Sequence, residues 1–351
     1  METRLKTLVI LTPGFPANEA DSTCVPPQQI FVKALKQVNP DLNIVVLTFQ
    51  YPFISKIYSW HGIKVIAFGS PSNGRIHRLY TGLRVWLALR RLNRQQQIIG
   101  LLSFWVGKCA LIGSGFAKKH GLKHYGWLLG QDAKAGNKYI NRINPSGESL
   151  IALSDFVARE FQKNYGIKPQ HLIPVGIDTS LFSDVITERD IDIFGAGSFI
   201  PLKQYTIFLE VVAGLKPMFP NLKAVIGGDG PQMKQLQQLI KTLGIANNIT
   251  LIGRLTHAEV LVNMQHSKVF LHPSSYEGFG AVCLEALYAG AKVVSFVQPM
   301  DKPITNWHIA KDKARMMQII QQLLSDQNLD HQPVLPYIIQ DNAKAMLKLF
   351  V

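Results

Sequence analysis

Pro273-Ser274-Ser275-Tyr276-Glu277-Gly278-Phe279-Gly280-Ala281-Val282-Cys283-Leu284-Glu285-Ala286-Leu287-Tyr288-Ala289-Gly290 follows directly on the apolar run at 269–272. The run reads as a buried strand, and the block after it as a glycine-containing turn that opens into a helix near Gly280. Glycines at 278 and 280 let the backbone approach a ligand closely. A helix that starts there directs its unsatisfied N–H groups outward, which suits an anion such as a diphosphate. Glu277 falls in the turn and Glu285 in the helix, where a carboxylate can accept two hydrogen bonds from a vicinal diol such as a nucleotide ribose. A plain strand-turn-helix with a solvated Glu277 and with Glu285 in an ordinary surface pair has the same spacing.

The strand-then-helix pattern repeats on the N-terminal side of this block. Apolar, β-branched runs at 7–11, 43–47, 64–67, 98–103 and 150–153 alternate with apolar periods of 3.6 residues at 26–38, 76–94, 107–120 and 155–165. Alternation of this kind predicts a parallel sheet covered by helices on both faces. The rhythm breaks at 175–182, restarts with a strand at 190–194 and continues with strands at 223–226, 249–252, 269–272 and 292–296. The expected division is a first Rossmann-like domain at 1–185, a second at 186–335, and a C-terminal helical segment at 336–351 that packs back on the first. The fold class is therefore α/β with two doubly wound domains, and ligands are expected at the C-terminal edges of the strands.

A chain of 351 residues is long enough for two domains, each with its own core. No apolar run reaches the ~18 residues of a membrane-spanning helix. The N-terminal apolar stretch is short and no small-residue cleavage site follows it, so a first strand is expected rather than a signal peptide. Cys24, Cys109 and Cys283 form no CxxC pair, which gives neither a disulfide framework nor a zinc site and fits the cytoplasm. The net charge is +14 and lies almost wholly in residues 1–186, which hold 22 Lys and Arg against 10 Asp and Glu. Nucleic acid, a phosphorylated acceptor or an acidic lipid surface would each complement that excess. Nucleic acid is set aside, because no RRM, KH or zinc pattern is present.

The block 273–290 resembles the EGFG(x)nE signature of retaining glycosyltransferases of the GT-B fold, family 4. Other segments also fall where that family would place them. Gly227-Gly228-Asp229-Gly230-Pro231 is similar to the GDGP turn below the nucleotide. Phe194-Gly195-Ala196-Gly197-Ser198-Phe199-Ile200-Pro201-Leu202-Lys203 is similar to the loop that opens the second domain, where an Arg and a Lys clamp the donor phosphates. Lys203 matches the Lys, while Ser198 stands at the Arg position and cannot supply a charged bidentate donor.

In the first domain, Thr12-Pro13-Gly14-Phe15-Pro16 resembles the first acceptor-side loop. Trp127-Leu128-Leu129-Gly130-Gln131-Asp132 resembles a segment that usually reads His-Gly-x-Asp, with Leu129 at the histidine position and Asp132 matching. Asp132 also reads as a helix N-cap. The resemblance covers about residues 5–295; beyond it the usual glycine-rich loop is shortened to 297–307.

The resemblance implies two domains facing each other across a cleft. It implies a metal-independent transferase moving a hexose-type sugar from a nucleotide-sugar donor to a glycan or lipid-linked acceptor in cell-surface polysaccharide assembly. Glu277 and Asp132 are the expected catalytic carboxylates. Gly14, Gly197, Ser198, Lys203, Gly228, Gly230, Gly278, Phe279, Gly280 and Glu285 are the expected donor-binding residues. No metal or other cofactor is expected, since no DxD-like pair lies in a glycine-rich loop. A non-catalytic sugar-nucleotide or glycan binder of the same fold is the alternative.

One basic stretch stands outside these motifs. Residues 74–94 carry six arginines with Leu79, Leu83, Trp86, Leu87 and Leu89 interleaved. Such a helix packs its apolar stripe on the domain core or lies on an anionic membrane, here the inner face.

Overall fold

The computed structural model describes residues 5–70, 75–183 and 188–351. It divides into two compact units, Met1–Gly176 with Ile339–Val351, and Ile177–Ile338. The sequence placed the boundary at 185/186; the chain changes unit at 176/177. The reason is a pair of strand-like contacts: Ile177 bridges Ile338, and the Ile177 N–H donates to the Tyr337 carbonyl at 2.9 Å. The Phe182 ring then packs edge-on against Tyr288, with centroids 4.7 Å apart. The segment after Gly176 is thus already part of the second unit.

The first unit is built on strands β1 (Lys6–Gly14), β2 (Asn43–Tyr51), β3 (Lys56–Trp60), β4 (Ile63–Ala67), β5 (Gln97–Phe104), β6 (His124–Leu128), β7 (Leu150–Ala152) and β8 (His171–Leu172). Their order is β3-β4-β2-β1-β5-β6-β7-β8, parallel except for the β3–β4 hairpin. Leu8, Val9, Ile10 and Leu11 of β1 are fully buried, because helices cover both faces of the sheet. The strand order reverses at β1, between β2 and β5. At that switch point the strand ends leave a pocket of about 170 Å³, lined by Pro13, Phe49, Phe104, Trp105, Lys108 and Cys109 among others.

The C-terminal helix Ile339–Lys348 belongs to this unit. Ile339, Ala343 and Met346 are buried, and the helix packs against helix Pro26–Val38. Asn342 Nδ2 donates to the Pro174 carbonyl at 2.8 Å, and the Tyr125 hydroxyl donates to the Leu349 carbonyl at 3.1 Å. Phe350 fills the space above Gly100, where any Cβ would collide with its ring.

The second unit has strands β9 (Ile191–Ala196), β10 (Ala224–Gly227), β11 (Ile249–Gly253), β12 (Ser267–His272), β13 (Lys292–Ser295) and β14 (Trp307–Ile309), all parallel, in the order β11-β10-β9-β12-β13-β14. Helices Tyr205–Leu215 and Lys313–Ser325 cover one side, and Ile193, Phe208, Val212, Ile226, Leu271, Val294 and Ile320 fill the core beneath them. Here the order reverses at β9, between β10 and β12, so the loops after β9, β10 and β12 meet at one edge.

Candidate functional site

Two glycine-rich loops form the floor of that edge. The Gly197 N–H donates to the Gly227 carbonyl at 3.0 Å, and the Phe199 N–H to the Asp229 carbonyl at 2.9 Å. Gly228 has φ +153°, and a Cβ on it would fall onto the Gly197 carbonyl oxygen. A Cβ on Gly230 would lie 2.6 Å from the Phe199 carbonyl oxygen. Backbone packed on backbone leaves no room for side chains, so these glycines shape the loops whether or not they also touch a ligand. Ser198 is exposed between them.

Lys203 ends a short turn, Pro201–Lys203, and its ammonium pairs with Glu277 Oε1. The same oxygen accepts from His272 Nε2 at 3.0 Å. His272 is the last residue of β12, 3% exposed and stacked on Phe270. Burial raises the energy of the Glu277 carboxylate, but the His272 hydrogen bond and the Lys203 charge outweigh it and hold the carboxyl well below the usual range. Burial, together with the Lys203 charge, pushes the His272 imidazole below its usual value despite its bond to Glu277.

Gly280, with φ +87°, begins helix Ala281–Tyr288, and no side chain caps that N-terminus. The helix start follows Glu277 closely in sequence, and a helix N-terminus of this kind suits an anion. Phe279 is 2% exposed, with its ring against Trp307 and Tyr337 at 6.2 and 5.8 Å, so its side chain anchors the loop. Further along the helix, Glu285 Oε1 meets His257 Nε2 at 2.8 Å. Burial opposes the imidazolium, but the hydrogen bond and charge of Glu285 prevail and raise the His257 pKa.

Gly14 and Asp132 lie in the first unit. Gly14 ends β1, where the Thr12 hydroxyl donates to its carbonyl at 2.8 Å. Asp132, assigned from the sequence as catalytic, is 7% exposed and spends both oxygens on backbone. Oδ2 accepts from Val106 N–H at 2.7 Å, and Oδ1 from Leu129 and Gly130 N–H at 3.0 Å each. Burial pushes its carboxyl up, and these amides restrain the rise to about 6. The visible task of Asp132 is to tie the loop after β6 to the one after β5.

The second unit thus brings Gly197, Ser198, Lys203, Gly228, Gly230, Glu277, Gly278, Gly280 and Glu285 to the loops and helix on one sheet edge. Sequence reasoning missed His272 and His257, which touch the two glutamates. The position of His272, beside Pro273 at a strand end, was the only available signal for it. His257 meets Glu285 across 28 residues of sequence, and no spacing rule finds that pair.

Residues 177–334 match the family described as "Glycosyl transferases group 1". A 2-deoxystreptamine N-acetyl-D-glucosaminyltransferase of Niallia circulans is 31% identical over 155 residues, 44% of this chain and 38% of that protein. An MMP alpha-(1->4)-mannosyltransferase of Mycolicibacterium hassiacum is 29% identical over 154 residues, 42% of this chain and 36% of that one. The matched stretch is well under half of either relative's own length. Among solved structures, Anabaena Alr3699/HepE in complex with UDP-glucose superposes with a TM-score of 0.70 at 18% identity, covering 97% of this chain and 94% of that one. Sucrose-phosphate synthase from Thermosynechococcus elongatus gives 0.68 at 16%, covering 98% and 94%. At such identities the likeness shows the fold: two parallel-sheet α/β domains of the GT-B type.

Proposed function

We propose that the chain, whose residues 177–334 match the group 1 glycosyl transferases, transfers a hexose-type sugar from a nucleotide-sugar donor to a hydroxyl of a glycan or lipid-linked acceptor, retaining the anomeric configuration. The observation that carries this reading is the charged Glu277, held by Lys203 and His272 beside an uncapped helix start. A structure of the same fold that holds UDP-glucose supports it. The second unit receives the nucleotide: Glu285 takes the ribose diol, and Lys203 with the Gly278–Gly280 backbone takes the diphosphate.

As the bond from the anomeric carbon to the leaving phosphate breaks, positive charge grows on the sugar, and Glu277 stabilises it. The acceptor oxygen bonds to the same face, and its proton passes to the departing phosphate. No carboxylate nucleophile is required, which separates this chemistry from paired-carboxylate glycoside hydrolysis. Metal independence is part of the proposal. In it, Lys203 and the helix start supply the phosphate-binding charge that a divalent cation would otherwise provide.

The first unit supplies the acceptor side, with Asp132 shaping its loop. We place the protein in cell-surface polysaccharide assembly at the cytoplasmic face of an anionic membrane. Ser198 and Leu129, which replace two polar residues of the family pattern, favour a second reading as a non-catalytic sugar-nucleotide binder. Calorimetry against UDP-, GDP- and ADP-sugars tests the site directly. One of them should bind, and Glu285→Ala should weaken it about tenfold or more while the fold survives; unchanged affinity removes the role given to Glu285.

A further inference from the structure

Glu285 is held by a residue that belongs to none of the motifs. His257 is the first residue of helix His257–Gln265, whose start is fixed by a capping box: Glu259 N–H donates to Thr256 Oγ1 at 3.3 Å, and Thr256 N–H to Glu259 Oε2 at 2.7 Å. The far end of the same helix is fixed too. The guanidinium of Arg189 donates to the Met264 carbonyl at 3.3 Å and to the Ala289 carbonyl at 2.6 Å, which ties the C-terminal ends of helices His257–Gln265 and Ala281–Tyr288 together. Gly290 is needed beside this tie, since a Cβ there would lie 2.5 Å from the guanidinium.

Between these two anchors His257 Nε2 stands 2.8 Å from Glu285 Oε1, with side chains 17% and 12% exposed. A charged carboxylate only accepts hydrogen bonds, so Nε2 carries the proton. No second partner of the carboxylate is present among the described residues. Oε2 therefore keeps its full accepting capacity.

We infer that His257 is a positioning residue for the donor nucleotide: it fixes one oxygen of Glu285 so that the other is presented, already ordered, to the ribose diol. The inference rests on the donor-site reading above and adds to it a residue from a different helix. A free glutamate would have to give up its side-chain torsions on binding, whereas one held by an imidazole has given them up beforehand. A cross-helix hydrogen bond with a purely structural purpose would have the same geometry, so the two are separated by what the ligand feels.

The test uses the full chain, with UDP, GDP and ADP titrated by calorimetry and the tightest binder carried forward beside its 2′-deoxy analogue. His257→Leu and His257→Asn, neither of which places a donor where Nε2 stands, should weaken the ribonucleotide about tenfold. They should raise the KM of the matching nucleotide sugar and leave kcat within about twofold. His257→Gln, whose amide reaches the same point, should restore most of the affinity. The double variant with Glu285→Ala should bind no more weakly than Glu285→Ala alone. The 2′-deoxy analogue, which keeps only one of the two hydroxyls, should lose distinctly less affinity than the ribonucleotide on going from wild type to His257→Leu, since part of the contact being positioned is then absent.

If Glu285→Ala weakens binding and neither His257→Leu nor His257→Asn does, the inference fails and the donor site stands. If His257 variants lose kcat and thermal stability together, and equally for both analogues, the bond is structural and the inference also fails. If Glu285→Ala itself binds normally, or no nucleotide binds wild type, the donor reading fails and takes this inference with it.

Discussion

Glu277 is subject to opposed demands, and their balance has a pH signature. Burial disfavours its charge, while His272 and Lys203 favour it more strongly, so its folded pKa lies below the ordinary 4.5. A carboxyl shifted in this direction contributes stability that is complete above the unfolded value and lost as pH falls from there through the folded value. His272 acts in the same sense: held below its ordinary 6.5, it takes up its proton more readily in the unfolded chain, so stability falls as pH drops below 6.5. We predict that wild type loses stability steadily in urea titrations from pH 7 to about pH 3, and that Glu277→Gln flattens the part below 4.5. Parallel curves for the two proteins would contradict the charged state assigned to Glu277. The sequence showed both glutamates because they sit in one contiguous block. His257 was illegible because a hydrogen bond between residues on different helices leaves no periodic trace, and His272 had only its place beside Pro273 at a strand end to mark it. Phe279 lies between two glycines, and its ring turns inward to Trp307 and Tyr337.

At the scale of elements, the strands buried on both faces announced themselves as apolar runs, and the poorly covered ones did not. β3 lies at the sheet edge with alternating exposure, and its Ile57 is 65% exposed, so its sequence lacks a continuous apolar run. Helix Arg75–Gln95 shows what periodicity alone cannot decide. The side chains of Arg75, Ile76 and Arg78 lie outside the described residues. Of the expected stripe, Leu89 is buried together with Val85 and Leu92, and Trp86 packs on Phe116. Leu79, Leu83 and Leu87 are exposed, with Tyr80 beside them and exposed Arg90, Arg91 and Arg94 one to two turns on. At 100° per residue these all fall on one face, and the helix has no acidic residue. The stripe is thus divided: part of it packs on the core and part faces outward. Apolar side chains with arginines suit an anionic membrane surface. Leu83→Ser with Leu87→Ser should reduce co-sedimentation with phosphatidylglycerol-containing vesicles several-fold, and phosphatidylcholine vesicles should bind neither protein well. Equal binding of wild type and variant would reject this face as the contact.

At the scale of the whole molecule, two similar α/β halves were legible because each repeats the strand-helix rhythm, but the point of division was not. A break in rhythm at 175–182 marks a change of element, whereas the change of unit depends on which strand-like segment Ile177 pairs with, and that partner is Ile338. The return of the chain to the first unit through Ile339–Lys348 has a measurable consequence. Deleting 339–351 uncovers helix Pro26–Val38 and empties the space that Phe350 fills above Gly100. It should therefore lower the melting temperature and speed hydrogen exchange in helix Pro26–Val38, with little change in helix Tyr205–Leu215; unchanged exchange in Pro26–Val38 would contradict that packing. The proposed transfer requires turnover at the second unit. The decisive measurement is release of nucleoside diphosphate from a panel of UDP-, GDP- and ADP-sugars, followed in EDTA with wild type and Glu277→Ala. Wild type should turn over one donor in chelator, and Glu277→Ala should be slower by about a hundredfold or more; binding without turnover across the panel, or turnover that EDTA abolishes, would overturn the proposal.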